Sequence, residues 1–251
     1  MKANVLLTHL IYDELYFTGK TVVVVDVLRA SSTIVNALNN GAREIIPVAS
    51  VEFAVKISGG LFSGQTLIGG ERNTKKIDGF ALGNSPLEYK PEIVSGKSII
   101  FYTTNGSKAI VKAKFSENLF VCSYLNLNAI VNHIVSLDKD FEILCSGKPS
   151  SMSLEDTVCA GRLISEIQKV KPDVELTDSA KASAILNKSF GKNIRNMLKQ
   201  TEHGQLLLEN GFDEDLQFCS KLNITDIIPC YINNAVRSLN KKDNPSIKAS
   251  A

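Results

Sequence analysis

The run TVVVVDV at residues 21–27 narrows the choice of fold more than any other stretch of the chain. Consecutive β-branched residues without polar alternation belong to a strand buried on both faces, and such strands belong to parallel sheets with helices on either side. The run leaves a carboxylate, Asp26, at the strand's C-terminal end. It is followed by SSTIVNALNNG at 31–41, which carries hydroxyls suited to an N-cap, apolar residues at helical spacing and Gly41 at the expected stop. The same strand-then-helix unit recurs: REIIPV near 43–48 with a helix from about 51, SIIFYT at 98–103 with a helix from about 107, and NLFVCS at 118–123 with a helix from about 128. FEILCS at 141–146 leads into another helix, from about 153. Strands alternating with helices predict crossover connections, and so an α/β fold: a three-layer α/β/α arrangement around a mainly parallel sheet.

From about 177 to 223 the pattern turns helical, with SAKASAILN, NIRNMLKQ and GQLLLENGFDEDLQFCSKL carrying apolar residues at threes and fours. This predicts a helical C-terminal region, a lobe or flanking layer, after which IIPCY at 227–231 adds one more strand. Residues 1–240 read as one α/β domain and 241–251 as a flexible tail. The N-terminal MKANVLLTHLIYDEL reads as a strand rather than a signal peptide, because its apolar run soon meets Asp13 and Glu14. No stretch approaches the roughly 20 apolar residues of a membrane helix. Both readings predict a cytoplasmic location without membrane association. Net charge is +2 from 28 Lys+Arg and 26 Asp+Glu, scattered rather than striped, which argues against a nucleic-acid partner. The five cysteines, an odd number without a CxxC pair, are expected to be reduced. With only three histidines, any metal is expected on oxygen ligands.

In a parallel α/β sheet, ligands gather where strand ends lead into helix N-termini, and four polar clusters fall at such places. In DVLRASST, 26–33, Asp26 is placed to hold a divalent cation while Arg29, Ser31 or Ser32 and the helix-start amides grip an anion; the plain alternative is an N-cap with a surface ion pair. Leu28 stands where aspartyl-phosphate phosphatases of the DxD type carry a second carboxylate, which excludes that arrangement. In GGERNTKKIDGFALGNSP, 69–86, Glu71 is a metal ligand or base and Arg72 a bidentate anion contact, with Asn84 and Ser85 before Pro86; the alternative is a surface loop held by Asx-turns. In TTNGSKA, 103–109, Thr104, Asn105, Gly106 and Ser107 form an anion cradle without the Walker pattern, or merely a tight turn. In CSGKPSSMSLEDTVCAG, 145–161, Ser153 and Asp156 approach a capping box, yet Glu155 and Asp156 also face the site mouth, and Asp156 is a candidate second metal carboxylate. Glu202 and His203 begin a later helix; a lone His there is more often a cap or packing residue, so His203 is read as a lid contact only.

The succession VDVLRASSTIVNAL, GGERN with GFALGNSP, TTNGSKA, SLEDTVCAG, EHGQLLLENGFDEDLQFC and a late IIP, spanning residues 21 to 230, resembles the 2-phosphosulfolactate phosphatase family of coenzyme M biosynthesis. The resemblance implies Mg²⁺-dependent hydrolysis of (R)-2-phospho-3-sulfolactate to 3-sulfolactate and phosphate. Asp26, Arg29, Ser31, Glu71, Arg72, Asn84, Ser85, Thr104, Asn105, Gly106 and Asp156 fall on its motifs. The roles that follow are Asp26, Glu71 and Asp156 toward Mg²⁺, Arg29 and Arg72 on phosphate and sulfonate, and the 104–107 turn with Ser31, Ser32, Asn84 and Ser85 on the remaining anion. Either a water or Asp26 serves as nucleophile. The rival readings are a phosphatase for another phosphorylated hydroxy acid and a non-catalytic binder of an anionic metabolite. The expected partner is a small anionic phosphorylated substrate, with a homodimer the assembly in view.

Overall fold

A computed structural model of the chain describes residues 1–59, 65–148 and 151–240; the expected tail at 241–251, and Pro149 and Ser150 of the fourth cluster, lie outside the described residues. Along the chain run β1 (Lys2–Leu6), β2 (Thr21–Val25), α1 (Ala30–Asn39), β3 (Glu44–Val48), α2 (Val51–Ser58), β4 (Thr66–Arg72), β5 (Lys75–Lys76) and α3 (Pro91–Val94). They are followed by β6 (Ser98–Tyr102), α4 (Gly106–Lys112), β7 (Asn118–Cys122), α5 (Leu127–Leu137), β8 (Phe141–Cys145) and α6 (Leu154–Val170). The remainder is β9 (Glu175–Leu176), α7 (Asp178–Phe190), α8 (Ile194–Gln200), α9 (Glu202–Glu209), α10 (Asp213–Cys219), β10 (Pro229–Ile232) and β11 (Ala235–Ser238).

The strands form one sheet in the order β5-β4-β6-β3-β11-β10-β7-β2-β8-β1-β9. Two blocks are parallel, β4-β6-β3 and β7-β2-β8-β1-β9. Between them stands the antiparallel hairpin β10–β11, joined to each block through a single registered pair, Cys230 with Phe120 and Val236 with Ile45. The alternation of side chains along the buried strands shows how the layers stack. Val22 and Val24 of β2 share one cluster with Ile99 and Phe101 of β6, and α1 and α4 supply Ile34, Leu38, Ala109 and Ile110 to it, so these two helices lie between the blocks. Val23 and Val25 face the other way, onto α5, α6 and α7. Ile100 and Tyr102 face outward from the smaller block onto α2. Each parallel block is thus covered by helices on both faces, as the sequence predicts, and the middle helical layer is shared.

The helical stretch after residue 177 packs into this scheme. The helix pair α6 and α7 meets closely enough that a Cβ on Gly161 would come within 1.9 Å of the Ser183 carbonyl oxygen. Met197, Leu198, Leu207, Leu216 and Cys219 of α8, α9 and α10 belong to the same core cluster as Val23, Phe120 and Ile143 of the sheet. The predicted strand IIPCY appears two residues later as β10, and the chain then turns back through Asn233 and Asn234, both at positive φ. All five cysteines are buried and unpaired.

Candidate active site

The ends of β2, β4, β6 and β8 open onto a cleft of two adjoining cavities, each of about 470 Å³, within the usual size for a small-molecule site. Asp26, Leu28, Asn105, Lys148, Glu202 and His203 border both. One cavity is completed on its acidic side by Ser146, Glu155 and Asp156, the other by Arg29, Glu71, Thr74, Asn84 and Thr104.

Asp26 sits where the two cavities join. Its amide donates to Ser31 Oγ at 2.9 Å, the Ser31 amide returns to its carbonyl at 2.8 Å, and its Oδ1 accepts from the Ala30 amide at 3.2 Å. Its Oδ2 lies against Gly106, where a Cβ would approach to 2.4 Å, so α4 must begin with glycine for this carboxylate to fit. Burial pushes the Asp26 carboxyl up to about 7, and the nearby charges of Glu71 and Glu155 add to the rise, against the lowering by donors from Ser146 and Ala30.

Asp156 stands beside it with both oxygens taken: Oδ1 accepts from the Val27 amide at 2.9 Å, and Oδ2 from Ser146 Oγ at 2.9 Å and the Gly147 amide at 3.4 Å. Its carboxyl is raised well above the ordinary range by burial, then by Asp26 and Glu155. Through these bonds Asp156 braces β2 against β8, and its neighbour Glu155 is an acid without such bonds. Glu155 is 4% exposed, borders the acidic cavity, and its carboxylate has no hydrogen-bond or ion-pair partner among the described residues. Ser153 caps α6 by accepting from the Asp156 amide, as the sequence predicts.

In the second cavity Glu71 is fixed by two amides, Thr104 at 2.8 Å and Thr74 at 2.9 Å. The Arg29 guanidinium is committed to the fold. It forms a buried ion pair with Asp215 at 2.6 Å, donates to the Thr74 carbonyl at 2.7 Å, and lies 4.2 Å from the Phe212 ring centre. Ser85 Oγ donates to the other Asp215 oxygen at 2.6 Å. Arg72, expected to grip an anion, is exposed and borders neither cavity. Three of the predicted binding hydroxyls are turned to the backbone: Ser31 as above, Ser32 to the Val27 carbonyl at 2.9 Å, and Ser107 to the Val48 carbonyl at 2.8 Å. Thr104 Oγ1, Asn84 Oδ1 and Thr74 Oγ1, in contrast, are buried without any partner among the described residues, as expected of polar atoms awaiting a ligand. Asn105 opens α4 with no side-chain cap and borders both cavities.

Thr74, Lys148 and Asp215 are the residues that the motifs did not assign, while Glu155 was placed at the site mouth without a role. Lys148 follows a strand end and was accessible to the same logic as Asp26; it pairs with Glu202 across the cleft mouth. Asp215 had no signal, since its partner lies 186 residues away.

Among the described residues no three of His, Cys, Asp and Glu stand close enough to complete a metal's coordination by themselves. A buried Asp26 whose ionisation is opposed by Glu71 and Glu155, beside an unpartnered Glu155, is the kind of oxygen donor set that a dication would balance.

The chain matches the sequence model of the 2-phosphosulpholactate phosphatase family over residues 8–234. A probable 2-phosphosulfolactate phosphatase of Caldanaerobacter subterraneus subsp. tengcongensis is 42% identical over 87% of this chain and 90% of the relative. One from Clostridium perfringens is 39% identical over 95% and 97%, and one from Clostridium acetobutylicum 35% identical over 87% and 92%. Among the described residues no helix is long and apolar enough to cross a membrane. With a cleft at the strand ends and likeness over nearly its whole length, the chain belongs to the 2-phosphosulpholactate phosphatase family of phosphoric monoester hydrolases.

Proposed function

We propose that the protein hydrolyses (R)-2-phospho-3-sulfolactate to 3-sulfolactate and phosphate with Mg²⁺, in a sulfonate pathway of the coenzyme M type and in the cytoplasm. The observation that carries this reading is the placement of Asp26. A buried carboxylate whose proton is held to about pH 7 stands at the junction of an acidic cavity and a cavity lined by unpartnered hydroxyl and amide oxygens. The substrate carries its phosphate on the central carbon, between a carboxylate and a sulfonate, so phosphate on the acidic side leaves two further anionic groups for the second cavity, and the names of the relatives point to the same ester.

Asp26 and Glu155 would hold the cation on the acidic side. Bound there, it would supply neutralising charge to the phosphoryl oxygens and acidify water. Lys148, bordering both cavities and paired with Glu202, would meet the arriving anions at the mouth, whereas Arg29 is spent on Asp215. Thr104 and Thr74 would donate their free hydroxyls to the non-reacting anionic groups, and an Asn84 amide turned over would present N–H to them as well. Asp156 and Ser146 keep the β2 and β8 ends in register, so that the reacting groups are placed before substrate arrives.

The deciding assay is phosphate release from racemic 2-phosphosulfolactate by purified protein, with Mg²⁺ and with EDTA, beside phosphoglycolate and phospholactate. Metal-dependent release fastest from the sulfonate is the expected result. Faster release from a sulfonate-free ester would transfer the enzyme to another phosphorylated hydroxy acid, and release unchanged by EDTA would remove the metal.

A further inference from the structure

We propose that His203 is the general acid of the reaction, delivering a proton to the alcohol oxygen that leaves phosphorus. This rests on the phosphatase reading above and names a group that the motifs left outside the chemistry.

The local sequence places the ring. Thr201 caps α9 by accepting from the Gly204 amide at 3.0 Å, and a Cβ on Gly204 would come within 1.8 Å of the Leu198 carbonyl oxygen. Glycine therefore lets the start of α9 press against the end of α8, and the side chain one residue earlier is carried into the cleft. There His203 borders both cavities, as Asp26 does. Its ring lies beside the Leu28 backbone, on the wall that the two cavities share. Among the described lining residues the other side chains with a cationic proton donor are Arg29, spent on Asp215 and Thr74, and Lys148, paired with Glu202 at the mouth.

The reaction needs such a donor. Transfer of a phosphoryl group passes through a loose transition state in which the bridging oxygen carries most of the departing charge. A secondary alcohol is a poor leaving group, so protonating that oxygen lowers the barrier. The phosphorus–oxygen bond to the alcohol breaks as the imidazolium gives up its proton. Water supplies the new phosphorus–oxygen bond, and the proton that it loses restores the imidazolium. Burial, the largest effect, lowers the affinity of His203 for its proton, with the Glu155 and Glu71 charges acting against it; a multiply anionic substrate arriving alongside shifts the ring back toward the protonated form.

The test compares wild type with His203→Gln on two esters, 2-phosphosulfolactate, whose leaving alcohol requires a proton, and acetyl phosphate, whose leaving carboxylate does not. The expected result is a fall of about 10²–10⁴ in kcat on the alcohol ester with KM within about threefold, and a far smaller fall on acetyl phosphate. Equal losses on both, or a change confined to KM, would overturn the assignment and leave His203 a packing or lid residue. Should wild type turn over only the alcohol ester, the kcat-against-KM split decides alone. A wild type inactive on both fails the phosphatase reading itself, before His203 is reached. Unchanged thermal stability of His203→Gln separates the catalytic effect from a folding defect.

Discussion

Among single side chains, Asp26 is held where its ionisation is opposed, and this sets a pH dependence. Free aspartate titrates near 3.8, whereas in the fold the value is pushed up to about 7 by burial and by Glu71 and Glu155. A carboxyl raised on folding contributes stability in full below about 3.8 and loses it as pH climbs through about 7. Asp156, raised by burial and by Asp26 and Glu155, acts in the same direction. Thermal unfolding of the metal-free protein should therefore show Asp26→Asn gaining on wild type as pH rises from 4 to 7, while turnover by the variant is abolished. Mg²⁺, which binds the ionised form, should close the gap for wild type above pH 7. A variant that tracks wild type across the whole interval, or that keeps wild-type kcat, would remove Asp26 from both accounts. The residue itself was legible in the sequence, because a carboxylate ending a fully apolar strand has few structural reasons to be there. The partners of Arg29 were not. A guanidinium three residues past a strand end reads equally as an anion grip or an ion pair, and what decided between them was Asp215 on a helix folded back from far along the chain.

Strands and helices were easier to read than side-chain roles, because periodicity is a local property and partnership is not. The strand at 21–25 and the helix at 30–39 fall where the β-branched run and the apolar spacing put them. The hairpin that joins the two parallel blocks was missed in part. IIPCY was visible as a strand, but the Asn233-Asn234 turn after it, two consecutive residues at positive φ of the kind that close tight hairpins, was not read, and so β11 was not seen. Glycine spacing within helices was likewise silent until the packing was known. Gly161 lies in the middle of α6, where glycine is intrinsically unfavourable, and its reason is the approach of α7. Gly161→Ala would set a methyl 1.9 Å from the Ser183 carbonyl oxygen, so α7 must move outward. The expected loss is about 1–3 kcal/mol in urea unfolding, the usual cost of forcing volume into a packed contact. A neutral or stabilising effect, as the higher helix propensity of alanine alone would give, would show that the two helices part freely.

On the scale of the whole molecule, the question is whether the helical stretch from 178 to 219 is a separate lobe or part of one cooperative unit. Leu198, Leu207, Leu216 and Cys219 share a core cluster with the strands β2, β7 and β8, and the buried Arg29–Asp215 pair fastens α10 to the start of α1 beside the cleft. An element that buries its apolar face in a common core cannot unfold without exposing that core, so sheet and helices should melt together. The chain carries its own probes for this. Cys122, Cys145, Cys159 and Cys230 lie in or beside the sheet and Cys219 in α10, all buried and unpaired, so each is shielded from alkylation until its surroundings open. Pulse labelling with N-ethylmaleimide across a urea gradient, read by peptide mass spectrometry, should give one midpoint for all five, coincident with loss of helical circular dichroism. Asp215→Ala, which strands a buried guanidinium, should cost about 3–5 kcal/mol of stability and so move the common midpoint to lower urea without dividing it. If instead Cys219 became reactive at lower urea than the sheet cysteines, α8 to α10 would open independently of the sheet. The cleft wall that carries His203 would then be a lobe able to part from Asp26 while the parallel blocks stay folded.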